Sequence, residues 1–275
     1  MKPKTMTIER DVQKDIDTRN VAIQEVGISD MKFPLVIRGV EMESSASQPV
    51  SATLSLGVSL SKELKGIHMS RLVEDLLEQG DTISLNGLVK FLHRLKEHQG
   101  ANDAALTLSF DYYLDRQAPV SGRIGKQAYS CRYEARLTKS VITLTQAVEV
   151  PVTTLCPCSK EISSYGAHNQ RGYVEVEFTH KLSVEQEPNI EVSLEEIIEE
   201  VESVASAPLY PILKRVDERF VTMQAYDEPR FVEDLVRNVA VFLREDERMD
   251  TWKVRVTNHE SIHQHNAYAV VSSGN

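Results

Sequence analysis

The sequence is poor in cysteine and aromatic residues and contains no long apolar run. Its three cysteines are an odd and small number for 275 residues, which argues against a disulfide framework and leaves thiols free for metal binding or chemistry. No apolar stretch reaches the roughly 18 residues that a membrane span needs, and residues 1–19 are polar, without the apolar segment of a secretory signal. These absences predict a soluble, cytoplasmic protein that has no membrane partner.

Positive charge is also scarce. There are 31 Lys and Arg against 41 Asp and Glu, a formal net charge of -10. This balance argues against a surface built to wrap nucleic-acid phosphates, but it is compatible with a local basic pocket for one triphosphate. The hydrophobic share of 41% is enough for a core of normal size in one large or two smaller domains.

In the first half of the chain, apolar residues recur at spacings that are typical of strands and helices. Alternation predicts strands and spacings of three and four predict helices. The order is strand, strand, helix, helix, strand, strand, over residues 33–37, 50–60, 72–77, 88–95, 106–114 and 129–137.

The second half repeats that order as a pattern, without identity of residues. Strands are predicted at 141–150 and 174–178 and again at 252–256 and 267–271. Between them, Ser193 and Glu196 have the spacing of a capping box, and Pro229 opens a second helical segment.

Paired helices between antiparallel strands indicate an α+β protein with the helices on one face of each sheet. We divide the chain into an N-terminal arm at 1–30, a first module at 31–140 and a second module at 141–275 that carries most of the motifs. A four-stranded sheet leaves its edges exposed. Because pairing with other subunits is a common way to close such edges, we expect a symmetric oligomer.

The most unusual segment lies between two predicted strands and contains Cys156, Cys158 and His168. Thiolate and imidazole are preferred ligands of zinc-like ions, and two cysteines are too few for a closed structural site. The pattern favours an open, catalytic metal position. The alternative is a loop with two buried thiols and a surface histidine, since a Cys-x-Cys pair is not a specific metal motif.

A second cluster, residues 258–266, holds three of the eight histidines. In an extended strand, His263 and His265 would share a face and could bind metal or exchange protons near neutral pH. The alternative is a polar turn whose histidines face water.

Two carboxylate-rich segments, residues 214–219 and 226–234, have helical spacing. Glu233 stands three residues after Arg230 and four before Arg237, so surface ion pairs are a sufficient explanation for it. Cys131 lies on an apolar strand face and is predicted to be a core residue.

At these motifs the sequence resembles the GTP cyclohydrolase IB family, and the resemblance covers most of the chain. The segments that carry it are 11–13, 26–28, 154–160, 166–172, 214–218, 231–234 and 258–265, of which Thr-Leu-Cys-Pro-Cys-Ser-Lys at 154–160 is the most specific. The resemblance implies the tunnelling fold, with two modules per chain that assemble into barrels, and a homotetramer.

The same resemblance implies a metal, zinc or manganese, held by Cys156, His168 and Glu218, with His263 close by as a further candidate ligand. Glu233 would anchor guanine, because its two acceptor oxygens match the paired N–H donors of the guanine edge. The implied reaction is hydrolysis of GTP to 7,8-dihydroneopterin triphosphate and formate, which begins at C8 of the purine and is the first step of folate-type pterin synthesis.

His263 and Cys158 are the candidates for proton transfer, and Cys156 is the third predicted catalytic residue. The basic residues nearest the motifs could hold the triphosphate or be ordinary surface cations; they are Lys160, Arg171, Lys214 and Arg215.

Two other functions fit the same residues. A nitrile reductase of the same fold, acting on a deazaguanine, would need a nicotinamide cofactor. A non-catalytic metal-binding protein would bind metal without turning over GTP.

Overall fold

A computed structural model describes residues 11–38, 47–183 and 192–274, and the side chains of 181–183 are not among the described atoms. The first module contains five strands and two helices. In chain order these are β1 Ile23–Ile37, β2 Gln48–Leu60, α1 Met69–Gln79, β3 Thr82–Ile83, α2 Leu85–Gln99, β4 Asp103–Gln117 and β5 Ile124–Thr138. The predicted order is confirmed here, with the short β3 added.

The second module has more helices than the periodicity predicts. Its elements are β6 Val141–Leu155, α3 Pro157–Ile162, β7 Asn169–Ser183, α4 Leu194–Val204, β8 Ala207–Pro208, α5 Arg215–Asp227, α6 Val232–Glu245, β9 Thr251–Asn258 and β10 Ala267–Ser272. The two predicted helices are α4 and α6. The additional α3 is too short to show a period, and α5 exposes much of its apolar side to solvent.

In the part of the chain that the structure describes, ten strands form one sheet in the order β10-β9-β7-β6-β5-β4-β2-β1-β3, with β8 paired to β6. The pairs are antiparallel except for β1 with β3. β5 pairs with β6 from Thr138↔Val141 to Ser130↔Glu149, so the sheet continues without a break across residue 140. β1 begins at Ile23, inside the segment predicted as an arm.

Helices α2, α4 and α6 pack on one face of this sheet, and one continuous core lies between them and the strands. The alternating residues of β2 are buried as predicted, with Leu54 and Leu56 each 1% exposed. Cys131 is 4% exposed, which confirms it as a core residue. Among the described helices, none has both the length and the apolar character needed to cross a membrane.

Local signals set the helix ends. The Ser84 side chain accepts a hydrogen bond from Gly87 N at 3.1 Å to begin α2, and Gly100 ends it in the left-handed region at φ 63°. The predicted capping box is present: Ser193 N donates to Glu196 Oε2 at 2.9 Å, and Glu196 N donates to Ser193 Oγ at 3.1 Å.

Candidate metal and substrate site

The loop that joins β6 to β7 is built around Cys156. Cys156 is the N-cap of α3, with Pro157 in the first helical position, and its Sγ accepts a hydrogen bond from Ser159 N at 3.4 Å. The Cys156 side chain is half-buried, whereas Cys158 is exposed, and both are free thiols. The thiol of Cys156 is therefore held in place and still accessible.

Backbone hydrogen bonds close this loop on His168. Cys156 N donates to His168 O at 3.1 Å. Ser159 Oγ donates to Cys156 O at 3.1 Å and accepts from His168 N, also at 3.1 Å. The structure thus brings the backbones of two predicted metal ligands together.

The His168 ring is oriented by Gln170, which is not among the predicted site residues. Gln170 Oε1 lies 2.9 Å from His168 Nδ1, and Gln170 Nε2 donates to Thr154 Oγ1 at 3.0 Å. Gln170 and Thr154 are both buried. Because the amide N–H₂ is used on Thr154, the amide oxygen faces His168, so Nδ1 is the hydrogen-bond donor and, in the neutral ring, Nε2 is the nitrogen with the lone pair.

Glu218 lies in the first turn of α5 and is exposed, but its neighbour Asp217 is fully buried. The Asp217 carboxylate accepts four hydrogen bonds, from Val120 N at 2.9 Å, Ser121 N at 2.7 Å, Ser121 Oγ at 2.6 Å and Lys214 N at 2.8 Å. Asp217 therefore fastens the start of α5 to the turn between β4 and β5. In the sequence, Asp217 stands out only as a member of segment 214–218, which carries the family resemblance.

These bonds control the charge of Asp217. Burial by itself would raise the pKa of this carboxyl, but the donors from Ser121, Lys214 and Val120 together hold the pKa of Asp217 well below its usual range. The carboxylate is consequently ionised over the whole range in which the protein would work.

Lys160 connects α3 to the end of α5. Its Nζ donates to the Tyr226 carbonyl and lies 4.3 Å from the centroid of the Tyr226 ring. Glu218 lies eight residues before Tyr226, about 12 Å along the helix axis. Lys160 and Glu218 are thus at opposite ends of α5.

Glu233 is exposed in the first turn of α6. Arg230 N donates to Leu155 O at 3.0 Å, which places the start of α6 beside the Cys156 loop. Arg230 forms its ion pair with Glu228, at 2.6 Å. The described residues show no ion pair between Glu233 and either Arg230 or Arg237, so the surface ion pairs considered for Glu233 above are not formed.

The histidine-rich segment forms the turn between β9 and β10. His259 N donates to Arg171 O at 2.9 Å, so the turn starts beside the first residues of β7. His263 and His265 are exposed, and their rings stack with centroids 5.0 Å apart and an interplanar angle of 14°. In the single chain these histidines face water, which is the alternative arrangement considered for them above.

The single chain does not gather the four predicted metal ligands. Among the described residues, the one group of three ligand-type side chains whose donor atoms all lie within 4.8 Å is Asp75, Glu78 and His98 on α1 and α2. Cys156, His168, Glu218 and His263 do not form such a group. The α1–α2 group is not among the metal sites that the sequence motifs predict.

The donors at the Cys156 loop nevertheless fit a zinc-like metal. A thiol and an imidazole nitrogen with a free lone pair are suitable ligands, and the Gln170 bond to Nδ1 is the type of contact that orients a ligating histidine. Neither side chain is closed off by burial.

Comparison with known proteins gives a consistent result. A family model described as type I GTP cyclohydrolase folE2 matches residues 10–269. The GTP cyclohydrolase FolE2 of Magnetococcus marinus is 42% identical over 264 residues, 96% of this chain and 96% of the relative. That of Fervidobacterium nodosum is 40% identical over 264 residues, 96% of this chain and 97% of the relative.

Solved structures show the fold. A highly active mutant of Bacillus sp. TB-90 urate oxidase aligns over 91% of this chain and 99% of its own, with a TM-score of 0.55 and 9% identity. Uricase from Arthrobacter globiformis aligns over 92% of this chain and 94% of its own, with a TM-score of 0.50 and 8% identity. The chain has the α+β fold that the strand and helix order predicts, and its structural neighbours have the tunnelling fold that the family resemblance implies.

Proposed function

The chain belongs to the type I GTP cyclohydrolase FolE2 family, and from this premise we propose that it hydrolyses GTP to 7,8-dihydroneopterin triphosphate and formate in folate-type pterin synthesis. The observation that carries the proposal is the match to this family over nearly the whole chain, Cys156 loop included. A cytoplasmic location is part of the proposal and agrees with its three free thiols.

The proposed metal site consists of Cys156, His168 and Glu218, with His263 close to it. When bound, a divalent metal such as zinc or manganese would supply Lewis-acid activation of water near neutral pH. Two observations support this assignment: Cys156 is fixed at the start of α3, and the His168 ring is oriented by its hydrogen bond to Gln170.

Glu233 is the proposed guanine anchor. Its carboxylate offers two acceptor oxygens for the N1–H and N2–H donors of guanine, and an adenine edge lacks that pair. The start of α6 lies beside the Cys156 loop, and this supports a guanine anchor in the first turn of α6.

His263 and Cys158 are the proposed proton-transfer groups, because both are exposed and neither is a core residue. Arg171, Lys214 and Arg215 are exposed cations that could bind the triphosphate. Lys160 is a further candidate, since its ammonium group donates to the Tyr226 carbonyl and has two more N–H donors for phosphate.

We further propose that the chain works as a homotetramer. One side of α5 has apolar residues at helical spacing that are exposed in the single chain: Val216 at 54%, Phe220 at 46% and Met223 at 51%. Such a stripe is typical of a surface that packs against another subunit. Because Glu218 lies on the same helix, assembly around α5 would account for a ligand set that one chain leaves apart.

The decisive experiment is GTP turnover by the purified protein, followed as formate release and as fluorescence of the oxidised pterin. We expect both products to stop with chelator and to return with zinc or manganese. Turnover of a deazaguanine nitrile with reduced nicotinamide, and none of GTP, would support the reductase instead. Stoichiometric metal without either product would support a non-catalytic metal-binding protein.

A further inference from the structure

Two helices outside the Cys156 region bring three metal-ligating side chains together. Asp75 and Glu78 are three residues apart on α1, so they lie on the same face of the helix. His98 is at the end of α2 and approaches from the other side. Their donor atoms all lie within 4.8 Å of one another.

Asp75 has an unusual environment for a carboxylate. Its side chain is 5% exposed, and Oδ1 lies 2.5 Å from His98 Nδ1. The other oxygen, Oδ2, is buried and has no hydrogen-bond partner among the described residues. A buried carboxylate oxygen without a donor is costly, and such atoms are rare in folded proteins.

The arginine beside this group does not supply the missing partner. Arg94 donates to the Asp75 backbone carbonyl at 2.8 Å and to Gln79 Oε1 at 3.2 Å. The described contacts include no ion pair between Arg94 and the Asp75 carboxylate. Within the described contacts, the Asp75 carboxylate is therefore paired only with His98, and its Oδ2 remains available to a cation.

We propose that Asp75, Glu78 and His98 form a second divalent-cation site, selective for zinc-class ions, separate from the Cys156 loop. Two carboxylates and an imidazole are suitable for zinc, with water in the fourth position, whereas magnesium and calcium prefer oxygen ligands alone. Glu78 is exposed and takes part in no described hydrogen bond or ion pair, so its carboxylate can turn towards the ion.

A cation bound at this site would link α1 to α2. Asp75 and His98 are 23 residues apart, and a cation held by both would tie α1 to α2. Because the ion binds the folded arrangement and not the separated helices, it would raise the unfolding temperature in a zinc-dependent way. The site would therefore stabilise the first module without taking part in turnover.

The test compares zinc binding by the full-length wild-type protein with that of Glu78→Gln and His98→Gln variants. Glu74→Gln is a matched control because Glu74 is exposed on the same helix and outside the group. After removal of metal, zinc is titrated alone, bound ions per chain are counted by mass spectrometry, and melting temperatures are recorded with zinc and with magnesium.

We expect wild type and Glu74→Gln to bind one more zinc ion per chain than Glu78→Gln and His98→Gln, or to bind that ion at least about tenfold more tightly. Zinc should raise their melting temperature by about 2–4 °C more than it raises that of the two variants. Magnesium should not produce this difference.

A wild-type zinc count and zinc-dependent melting shift in either Glu78→Gln or His98→Gln would overturn the proposal and leave only an Asp75–His98 hydrogen bond. Cys156→Ala separates this site from the proposed catalytic one. That variant should lose a different zinc ion and keep the melting shift that depends on Glu78.

Discussion

At the scale of single residues, the orientation of His168 rests on Gln170 and Thr154. The chain of hydrogen bonds from Thr154 through the Gln170 amide to His168 Nδ1 fixes both the ring and its tautomer. A ligand that is already in the correct tautomer loses less free energy when it binds metal. Gln170 is thus a positioning residue for the proposed metal site.

Replacing Gln170 with Met should weaken metal binding about 10- to 100-fold, because the side chain keeps its length but no longer accepts from Nδ1. The loss of the hydrogen bonds should cost about 1 kcal/mol of stability. Competition titration against a zinc chelator measures the affinity, and Thr154→Val serves as a milder change in the same chain of bonds. Unaltered zinc affinity in Gln170→Met would show that His168 does not depend on this contact.

Glu233→Gln should raise the KM for GTP by about tenfold to a hundredfold while metal content stays the same. The amide keeps the shape of the side chain but has one acceptor oxygen, so one guanine donor is left without a partner. Glu245→Gln is the matched control, an exposed glutamate on the same helix. A KM equal to wild type would remove Glu233 from guanine recognition.

Sequence reasoning could find the residues with distinctive chemistry but not those that act through burial. Cys156 and His168 lie in one closed loop of hydrogen bonds, as the motif between two strands suggests. Gln170 is distinguished only by its buried contacts. Asp75 and His98 are 23 residues apart, and nothing in the local sequence of either helix indicates that they meet.

At the scale of elements, Asp217 links the two modules. Its carboxylate accepts from the β4–β5 turn at Val120 and Ser121 and also from Lys214 at the start of α5. The turn belongs to the first module and α5 to the second. The position of the neighbouring Glu218 therefore depends on a contact between modules.

Asp217→Asn should lower stability, and the loss should depend on pH in a defined direction. The pKa of Asp217 is lower in the folded protein than in the unfolded chain. The stability from its charge is therefore fully present above the unfolded value of about 3.9 and is lost as pH falls below it towards the folded value.

Urea unfolding measures the free energy of unfolding of wild type and of Asp217→Asn. The difference between the two should be constant between about pH 7 and pH 5 and should become smaller as the pH falls below about 4. Ser121→Ala removes one of the four donors to Asp217, so it should lower the free energy of unfolding by a smaller amount, with the same dependence on pH. A difference that stays constant down to acid pH would mean that the carboxylate charge is not the stabilising feature.

The element order of the first module could be predicted because its strands and helices each bury one face. β2 alternates and α2 has a single apolar stripe, and both patterns are buried as expected. The helix α5 could not be predicted in this way because its apolar residues point to solvent in the single chain. The start of β1 at Ile23 depends on pairing with Leu60 of β2, which its own polar sequence does not indicate.

At the scale of the whole molecule, a ten-stranded sheet carries both modules and ends at β3 and β10. The exposed stripe of α5 lies in the second module, beside the predicted ligand Glu218. A tetramer that covers this stripe would bury Phe220 and bring a neighbouring chain next to Glu218.

Phe220→Glu should therefore shift the protein towards smaller assemblies, because a carboxylate would be placed in an apolar contact. Light scattering during size-exclusion chromatography measures the molar mass, and GTP turnover should fall together with it. Leu77→Glu is the matched control, since Leu77 is 61% exposed on α1. A tetramer that survives Phe220→Glu would exclude this stripe as a subunit contact.

Because both modules share one sheet, part of that sheet is exposed on the growing chain during its synthesis on the ribosome. β1 to β5 leave the ribosome first, and the edge of β5 stays unpaired until β6 follows through the turn at Lys139. Every predicted residue of the metal and guanine site is translated later still, from Cys156 onward. A partly synthesised chain therefore exposes the aggregation-prone edge of β5 before it contains any residue of the proposed metal and guanine site. Chaperones would have to protect this strand at a stage when the chain has no activity.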